Sequence, residues 1–148
     1  MTKTDDLIVG RMLIGGQLVE SNSGAWRDTI NPATEELIGR VPEGNADDVA
    51  AAFDAAKAAQ PAWAALDMAE RADYLNRLGD AIAARTEELA RLEAIDTGNT
   101  IGKMVADVEK AVERIRLAAG LGLELKGETI PSTSAGLHFT LRTPYGVV

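Results

Sequence analysis

The stretch TIGKMVADVEKAVERIRLAAG, Thr100–Gly120, has the period of an amphipathic helix. Apolar side chains recur there every third or fourth position, and charged side chains occupy the opposite face. The apolar face comprises Ile101, Met104, Val105, Val108, Val112 and Ile115, and the charged face comprises Lys103, Asp107, Lys110 and Arg114. The pattern predicts a helix that packs on other elements and ends near Gly120–Gly122.

A first helix is predicted from residue 45 onward. Asn45 is a good N-cap residue, and Asp47 and Asp48 lie favourably against the positive end of a helix. Apolar residues then recur at helical spacing as far as Trp63. Pro61 lacks a backbone donor, so we expect the helix to break there, before Trp63.

Two more helices are predicted between this first helix and Thr100. Asp67 and Glu70 have the spacing of a capping box. Thr86 is expected to cap the next helix, and Gly98 suits the left-handed position that ends it. The side chains expected to point inward are Met68, Ala72, Leu75, Leu78 and Ile82 on one helix and Leu89, Leu92 and Ile95 on the other.

Short strands are predicted before the helices. Gly15-Gly16 separates two apolar runs and tolerates the positive φ of a two-residue hairpin turn. WRDTI (26–30) and LIGRV (37–41) are further strands, and Pro42 is expected to end the ladder. Together these strands suggest a meander, and the first ten residues are expected to fray.

A second strand region follows the helices. Leu137, Phe139 and Leu141 alternate with polar residues, which predicts a half-buried strand paired with ETIP (128–131) across the polar turn STSAG. Thr143–Gly146 fits a type I turn. Val147-Val148 then resembles the start of a buried strand, so we expect the chain to be one piece of a longer protein.

Composition excludes several classes of function. A net charge of −8 argues against nucleic-acid binding, which needs clustered basic residues. The absence of Cys removes thiolate catalysis and Cys-based metal sites, and a single His leaves no metal triad. The acidic N-terminus does not resemble a signal peptide, and no apolar run is long enough to span a membrane. A cytoplasmic protein is expected.

Six stretches stand in a characteristic order along the chain: LIGGQLV, NPATEELIGRV, ERADYLNRLGDAI, LEAIDTG, LKGETIP and TLRTPYGVV. In sequence and spacing they resemble the N-terminal part of the NAD(P)-dependent aldehyde dehydrogenase superfamily. The family often has Lys-Pro where Asn99-Thr100 stand here, and an acidic residue where Thr143 stands.

The resemblance implies an α/β fold. It consists of an N-terminal β-meander, a four-helix segment and a β-hairpin arm of an aldehyde dehydrogenase-like cofactor domain, truncated before the Rossmann-type sheet. Residues 1–126 would form the N-terminal part of the cofactor domain. Residues 127–143 would be the oligomerisation arm, and residues 144–148 would begin a Rossmann-type strand.

The implied activity is oxidation of a small aldehyde to a carboxylic acid with NAD or NADP, through a Cys thiohemiacetal. This chain has no Cys, so we assign no catalytic residue and expect it to be inactive alone. Gly120–Glu124 contains Gly-x-Gly but follows a helix, and it is interpreted as a helix-ending turn, not a phosphate cradle. No cofactor-binding residue is assigned.

Asp96 precedes the end of the third helix, where the helix dipole is already negative. It could simply bond to turn amides near Gly98. The resemblance instead implies a monovalent cation, Na⁺ or K⁺, held by Asp96 with the carbonyls of Thr29 and Ile30. Both interpretations remain open.

Two further roles follow from the resemblance. The hairpin 127–143 would mediate homo-oligomer contacts, although it could instead cover this chain's own helices. Residues 110–114 of the fourth helix could influence substrate choice, although an apolar helix face is more commonly core. A stand-alone, non-catalytic interaction module on the same scaffold is the alternative function.

Overall fold

The computed structural model describes residues 7–131 and 136–148. Its strands are β1 (Ile8–Val9), β2 (Met12–Ile14), β3 (Gln17–Val19), β4 (Trp26–Ile30), β5 (Leu37–Pro42), β6 (Thr129–Ile130) and β7 (His138–Phe139). Its helices are α1 (Ala46–Ala65), α2 (Met68–Ala83), α3 (Thr86–Thr97) and α4 (Ile101–Gly122). The order of strands, helices and a final hairpin agrees with the prediction.

The strands before the helices form two separate sheets. One has the order β1-β5-β4, and β2-β3 is an independent hairpin. The predicted single meander is therefore wrong, because β1 pairs with β5 in parallel and lies beside a strand that is distant in sequence. The prediction that the first ten residues fray is wrong for Ile8 and Val9, because these two residues pair with the backbone of Gly39 and Arg40.

The β2-β3 hairpin turns at Gly15 and Gly16, as predicted. Their φ angles are 59° and 78°, and positive φ at both central residues is what a tight hairpin of this twist requires. Met12 lies opposite Val19, and Ile14 lies opposite Gln17. The hairpin contacts α1 and so joins the strand region to the helices.

Helix α1 begins with the predicted cap. The Asn45 side chain accepts from the amides of Asp47 and Asp48, and the Asp48 side chain accepts from the Asn45 amide, which completes a capping box. The predicted break at Pro61 is wrong, because α1 continues through Pro61 to Ala65. A proline removes only one intrahelical donor, and Pro61 lies close to the end of α1, so few helical residues follow the disruption.

Helix α4 packs mainly against α2 and α3. Ala90 is fully buried, and Met104, Val112 and Ala119 are almost so. Small side chains in this set let the helix backbones approach closely. Three predicted core positions are wrong, since Leu78, Leu92 and Ile101 are exposed.

The caps of α2 and α3 differ in their agreement with the sequence. Asp67 and Glu70 form the predicted capping box, and Gly98 ends α3 with a φ of 74°. The predicted cap at Thr86 is wrong. Arg85 is the N-cap residue, and the Thr86 hydroxyl donates to the carbonyl of Ala83 instead of accepting from an amide.

Two guanidinium groups lie over the ring of Trp26, at the start of the edge strand β4. Arg11 is 5.4 Å and Arg40 is 4.4 Å from the centre of a Trp26 ring. Stacking of guanidinium on indole is favourable. Trp26 thereby connects Arg11, which lies between β1 and β2, with Arg40 on β5.

The tail forms a short hairpin in which β6 pairs antiparallel with β7. The prediction of a half-buried strand is wrong, because Leu137, Phe139 and Leu141 are all exposed and no element of the described chain covers them. The predicted turn at Thr143–Gly146 is not formed, because no backbone hydrogen bond closes it and the chain does not bend there. Most of the predicted polar turn, residues 132–135, lies outside the described residues.

Candidate functional site

A cavity of about 310 Å³ lies between the three-stranded sheet and the end of α3. Its lining residues are Ile8, Gly10, Thr29, Ile38, Gly39, Arg40, Val41, Leu92, Glu93 and Asp96. Two of the three residues proposed for a cation, Thr29 and Asp96, therefore line one cavity. The strands supply a mostly apolar floor that also contains Thr29 and Arg40, and α3 supplies the carboxylates.

The end of α3 is held near the sheet by a close contact of Gly98. A Cβ added to Gly98 would lie 3.0 Å from Cγ of Pro32, which follows β4 by two residues. The positive φ of Gly98 also requires glycine. This contact places the last turn of α3, which carries Asp96, beside the end of β4.

Ile30 does not line the cavity, and the residue is 53% exposed. It pairs with Leu37, and the register between β4 and β5 shifts between Thr29 and Ile30. The residue left over by this shift is Ile38 on β5, whereas Ile30 keeps its partner Leu37, and an isoleucine side chain offers no ligand atom. A role for Ile30 would therefore rest on its carbonyl and not on its side chain.

Glu93 is a cavity residue that the sequence analysis missed. It lies one turn before Asp96 on α3, so both carboxylates reach the same wall. The spacing of three residues on a predicted helix was the available signal. In residues 7–131 and 136–148, no group of three or more His, Asp or Glu side chains is placed to hold a metal ion. A cation here would depend on backbone oxygens as well, as hard cations often do.

The most firmly bonded carboxylate in this strand and helix region belongs to Asp48. Ser21 donates to its Oδ2 at 2.6 Å, the Asn22 amide donates to its Oδ1 at 3.0 Å, and the Asn45 amide donates to its Oδ2 at 3.0 Å. The Ser21 hydroxyl, and then the two amides, lower the pKa of Asp48. A carboxylate held in its ionised form by three donors is structural and is poorly suited to accept a proton.

Glu88 and the Gly120–Glu124 segment are structural as well. Glu88 is bonded to the guanidinium of Arg85 at 2.8 and 2.5 Å, and this bond lowers the pKa of Glu88. The Gly120–Glu124 segment ends α4, with the Leu123 amide bonded to the carbonyl of Gly120. Its interpretation as a helix-ending turn is therefore confirmed.

A second cavity of about 470 Å³ lies along α4. It is lined by Ile82, Leu89, Leu92, Glu93, Met104, Asp107, Val108 and Ala111. Lys110 and Arg114 are not among these residues. Asp107 is held by Lys103 at 2.5 Å, which lowers the pKa of Asp107. The groove beside α4 is thus mostly apolar, with Glu93 and Asp107 as its charged lining residues.

None of the helices in the described part of the chain combines the length and hydrophobicity needed to cross a membrane.

Residues 18–148 match the sequence profile of the aldehyde dehydrogenase family. The NAD-dependent aldehyde dehydrogenase from Sinorhizobium meliloti has a similar structure, with a TM-score of 0.83 and 30% identity over 90% of this chain and 28% of that one. Lactaldehyde dehydrogenase from Escherichia coli has a TM-score of 0.84 and 35% sequence identity, and the match covers 88% of this chain and 27% of that one. An NADP-dependent enzyme from E. coli has a TM-score of 0.83 and 32% sequence identity, and the match covers 90% of this chain and 28% of that one.

The chain belongs to the aldehyde dehydrogenase family. It spans little more than a quarter of the length of the enzymes it matches. The predicted fold class, that of an N-terminal portion of these enzymes, is confirmed. The division into residues 1–126, 127–143 and 144–148 remains a prediction.

Proposed function

We propose that this chain provides the N-terminal scaffold of an enzyme that oxidises a small aldehyde to a carboxylic acid with NAD or NADP. The observation that carries this proposal is the family match over residues 18–148, joined to a fold that superimposes on NAD-dependent and NADP-dependent relatives. The absence of Cys fits a reducing cytoplasm, which we propose as its location. The acidic net charge supports a small-molecule substrate over a nucleic acid.

The chain alone is proposed to be inactive. The reaction of the family proceeds through a thiohemiacetal, which requires a thiolate, and these 148 residues contain no Cys. The one hydroxyl bonded to a carboxylate described above is that of Ser21, which is buried against Asp48, and three donors hold that carboxylate in its ionised form, so the pair is structural. The contribution of this chain is therefore a folded support for catalytic and cofactor-binding residues outside it.

A chimera tests this proposal. Residues 18–148 replace the matching segment of E. coli lactaldehyde dehydrogenase, and aldehyde-dependent nicotinamide reduction is measured. We expect activity from the chimera and none from the 148-residue chain or from the same enzyme lacking the segment. Turnover by the isolated chain would contradict the proposed inactivity. A chimera that folds and assembles like the parent enzyme but is inactive would contradict the scaffold role.

The hairpin of residues 127–143 is proposed to mediate homo-oligomer contacts. Ile130, Leu137, Phe139 and Leu141 are exposed on it, and a short two-stranded ribbon is marginally stable without a partner surface. In the chimera, Phe139→Asp should lower the molar mass measured by light scattering, whereas His138→Asp serves as the polar control. An unchanged mass for Phe139→Asp would contradict the arm.

The alternative function is a non-catalytic interaction module on the same scaffold. The uncovered apolar side chains of the hairpin favour it in part, since they suit any protein partner. Under this alternative, the isolated chain forms a stable oligomer and the chimera gains no activity. Under the scaffold proposal, the chimera is active.

A monovalent cation, Na⁺ or K⁺, is proposed to bind between Asp96 and the carbonyls of Thr29 and Ile30. The cavity shared by Thr29 and Asp96 supports this site. We expect NaCl or KCl to raise the melting temperature above that in choline chloride at equal ionic strength. Asp96→Asn should remove this difference, and Asp54→Asn on α1 should preserve it. Equal melting temperatures in all three salts would contradict the site.

A further inference from the structure

A separate cavity lies where the start of α2 meets the chain that follows β7. Its volume is about 360 Å³, which is within the usual range for small-molecule sites. Its lining residues are Met68, Arg71, Leu125, Arg142, Thr143 and Pro144. It shares no residue with the cavity that contains Thr29 and Asp96.

Two guanidinium groups line this cavity. In the described residues, neither Arg71 nor Arg142 forms an ion pair, since the ion pairs there involve other basic side chains. Nε of Arg71 is also buried without a hydrogen-bond acceptor. Buried donors are nearly always satisfied in proteins. The cavity therefore lacks an acceptor that two arginines could share.

The remaining walls indicate what kind of acceptor fits. Met68, Leu125 and Pro144 are apolar, so the ligand should carry an apolar group beside its charge. Asp67 and Glu70 are ionisable side chains at the same end of α2, already bonded to backbone amides in the capping box. Their negative charge opposes a dianion more strongly than a monoanion. Arginine also matches the two oxygens of a carboxylate.

We propose that this cavity binds a small monocarboxylate with a short apolar chain, held by the guanidinium groups of Arg71 and Arg142. The apolar chain lies against Met68, Leu125 and Pro144. This proposal rests on the cavity and the two arginines alone and does not depend on the proposed oxidation of an aldehyde.

Calorimetric titration of the 148-residue chain with sodium hexanoate tests the proposal. We expect saturable binding that is weakened about tenfold or more by Arg142→Gln, because one charge-assisted hydrogen bond contributes at least that factor. Arg142 is exposed outside any helix or strand, so this variant should fold normally. Arg71→Gln should have a similar effect. Arg91→Gln, an exposed arginine on α3 away from this cavity, should bind hexanoate like the original chain.

Hexanol and inorganic phosphate serve as the ligand controls. Binding of hexanol as tight as that of hexanoate would show that the charge is not recognised. Tighter binding of phosphate would overturn the assignment to a monocarboxylate. Absence of hexanoate binding, or binding that Arg142→Gln leaves unchanged, would overturn the site.

Discussion

The hydroxyl of Ser21 donates a hydrogen bond of 2.6 Å to Oδ2 of Asp48, which lies 27 positions later in the sequence. Both residues are buried. The turn after β3 is thereby bonded to the first turn of α1, where Asp48 also caps the helix. One carboxylate thus connects the hairpin region to the helices.

Replacement of Ser21 by Ala should lower the urea midpoint of unfolding, since a buried carboxylate loses one of its donors. It should also raise the pKa of Asp48 toward its ordinary value of 3.8, because the Ser21 bond is the largest cause of the lowered pKa. NMR titration of Asp48 measures the pKa. Thr34→Ala, in an exposed turn, is the control and should change neither quantity.

The stability difference between the original chain and Ser21→Ala should depend on pH, because folding lowers the pKa of Asp48. A carboxyl whose pKa is lowered by folding stabilises the protein above its unfolded pKa, and this stabilisation is lost as the pH falls through the folded value. The difference in the free energy of unfolding between the original chain and Ser21→Ala should therefore be largest near neutral pH and become smaller in acid. A difference that grows on acidification would contradict this assignment.

Replacement of Asn45 by Ala should destabilise the chain by about 1 kcal/mol, the usual effect of losing an N-cap. The Asn45 oxygen accepts from the amides of Asp47 at 2.9 Å and Asp48 at 3.0 Å. Thr100 is the matched control, because it caps α4 without a side-chain hydrogen bond. Urea unfolding should show little change for Thr100→Ala, and equal losses in both variants would contradict the difference between the two caps.

Replacement of Gly39 by Ala should separate β1 from β5. The added Cβ would lie 2.3 Å from the carbonyl oxygen of Ile8, so backbone must move, at a loss of about 1–3 kcal/mol. Hydrogen exchange of the Gly10 amide, which donates to Arg40 at 2.9 Å, should become faster.

Gly102 on α4 provides the control for this change. A Cβ added there meets no atom within 4 Å, so Gly102→Ala should raise stability by about 0.5–1 kcal/mol through helix propensity alone. Retained protection of the Gly10 amide in Gly39→Ala would show that the strand pair tolerates the methyl group.

Replacement of Pro61 by Ala should stabilise α1, by up to about 3 kcal/mol. The new amide can donate to the carbonyl four residues earlier, and the steric conflict of the proline ring disappears. Urea unfolding measures the gain, and Gln60→Ala is the neighbouring control, with little expected change. A loss of stability in Pro61→Ala would mean that the proline is favourable in this turn.

Features determined by neighbouring residues were predictable from the sequence. The positive φ angles at Gly15 and Gly16, the caps at Asn45 and Asp67, and the end of α3 at Gly98 each depend on a few adjacent residues. Such local preferences have direct physical causes in backbone sterics and unpaired amides.

Features determined by distant residues were not predictable in this way. The pairing of Ile8 with Gly39 joins two short segments, and two apolar residues give no alternating pattern. The contact of Gly98 with Pro32 likewise brings Asp96 near Thr29, which spacing alone does not indicate. Those two positions came from the family resemblance, whereas Glu93 could have been found from its helical spacing to Asp96.

The two tryptophans of this chain lie in different electrostatic environments. Trp26 has cationic groups over its ring, whereas Trp63 meets the ring of Tyr74 edge-on, with centres 5.5 Å apart. Their fluorescence should therefore differ in wavelength and intensity. In a variant that retains only Trp26, the fluorescence would report the unfolding of the sheet. In a variant that retains only Trp63, it would report the unfolding of the helices.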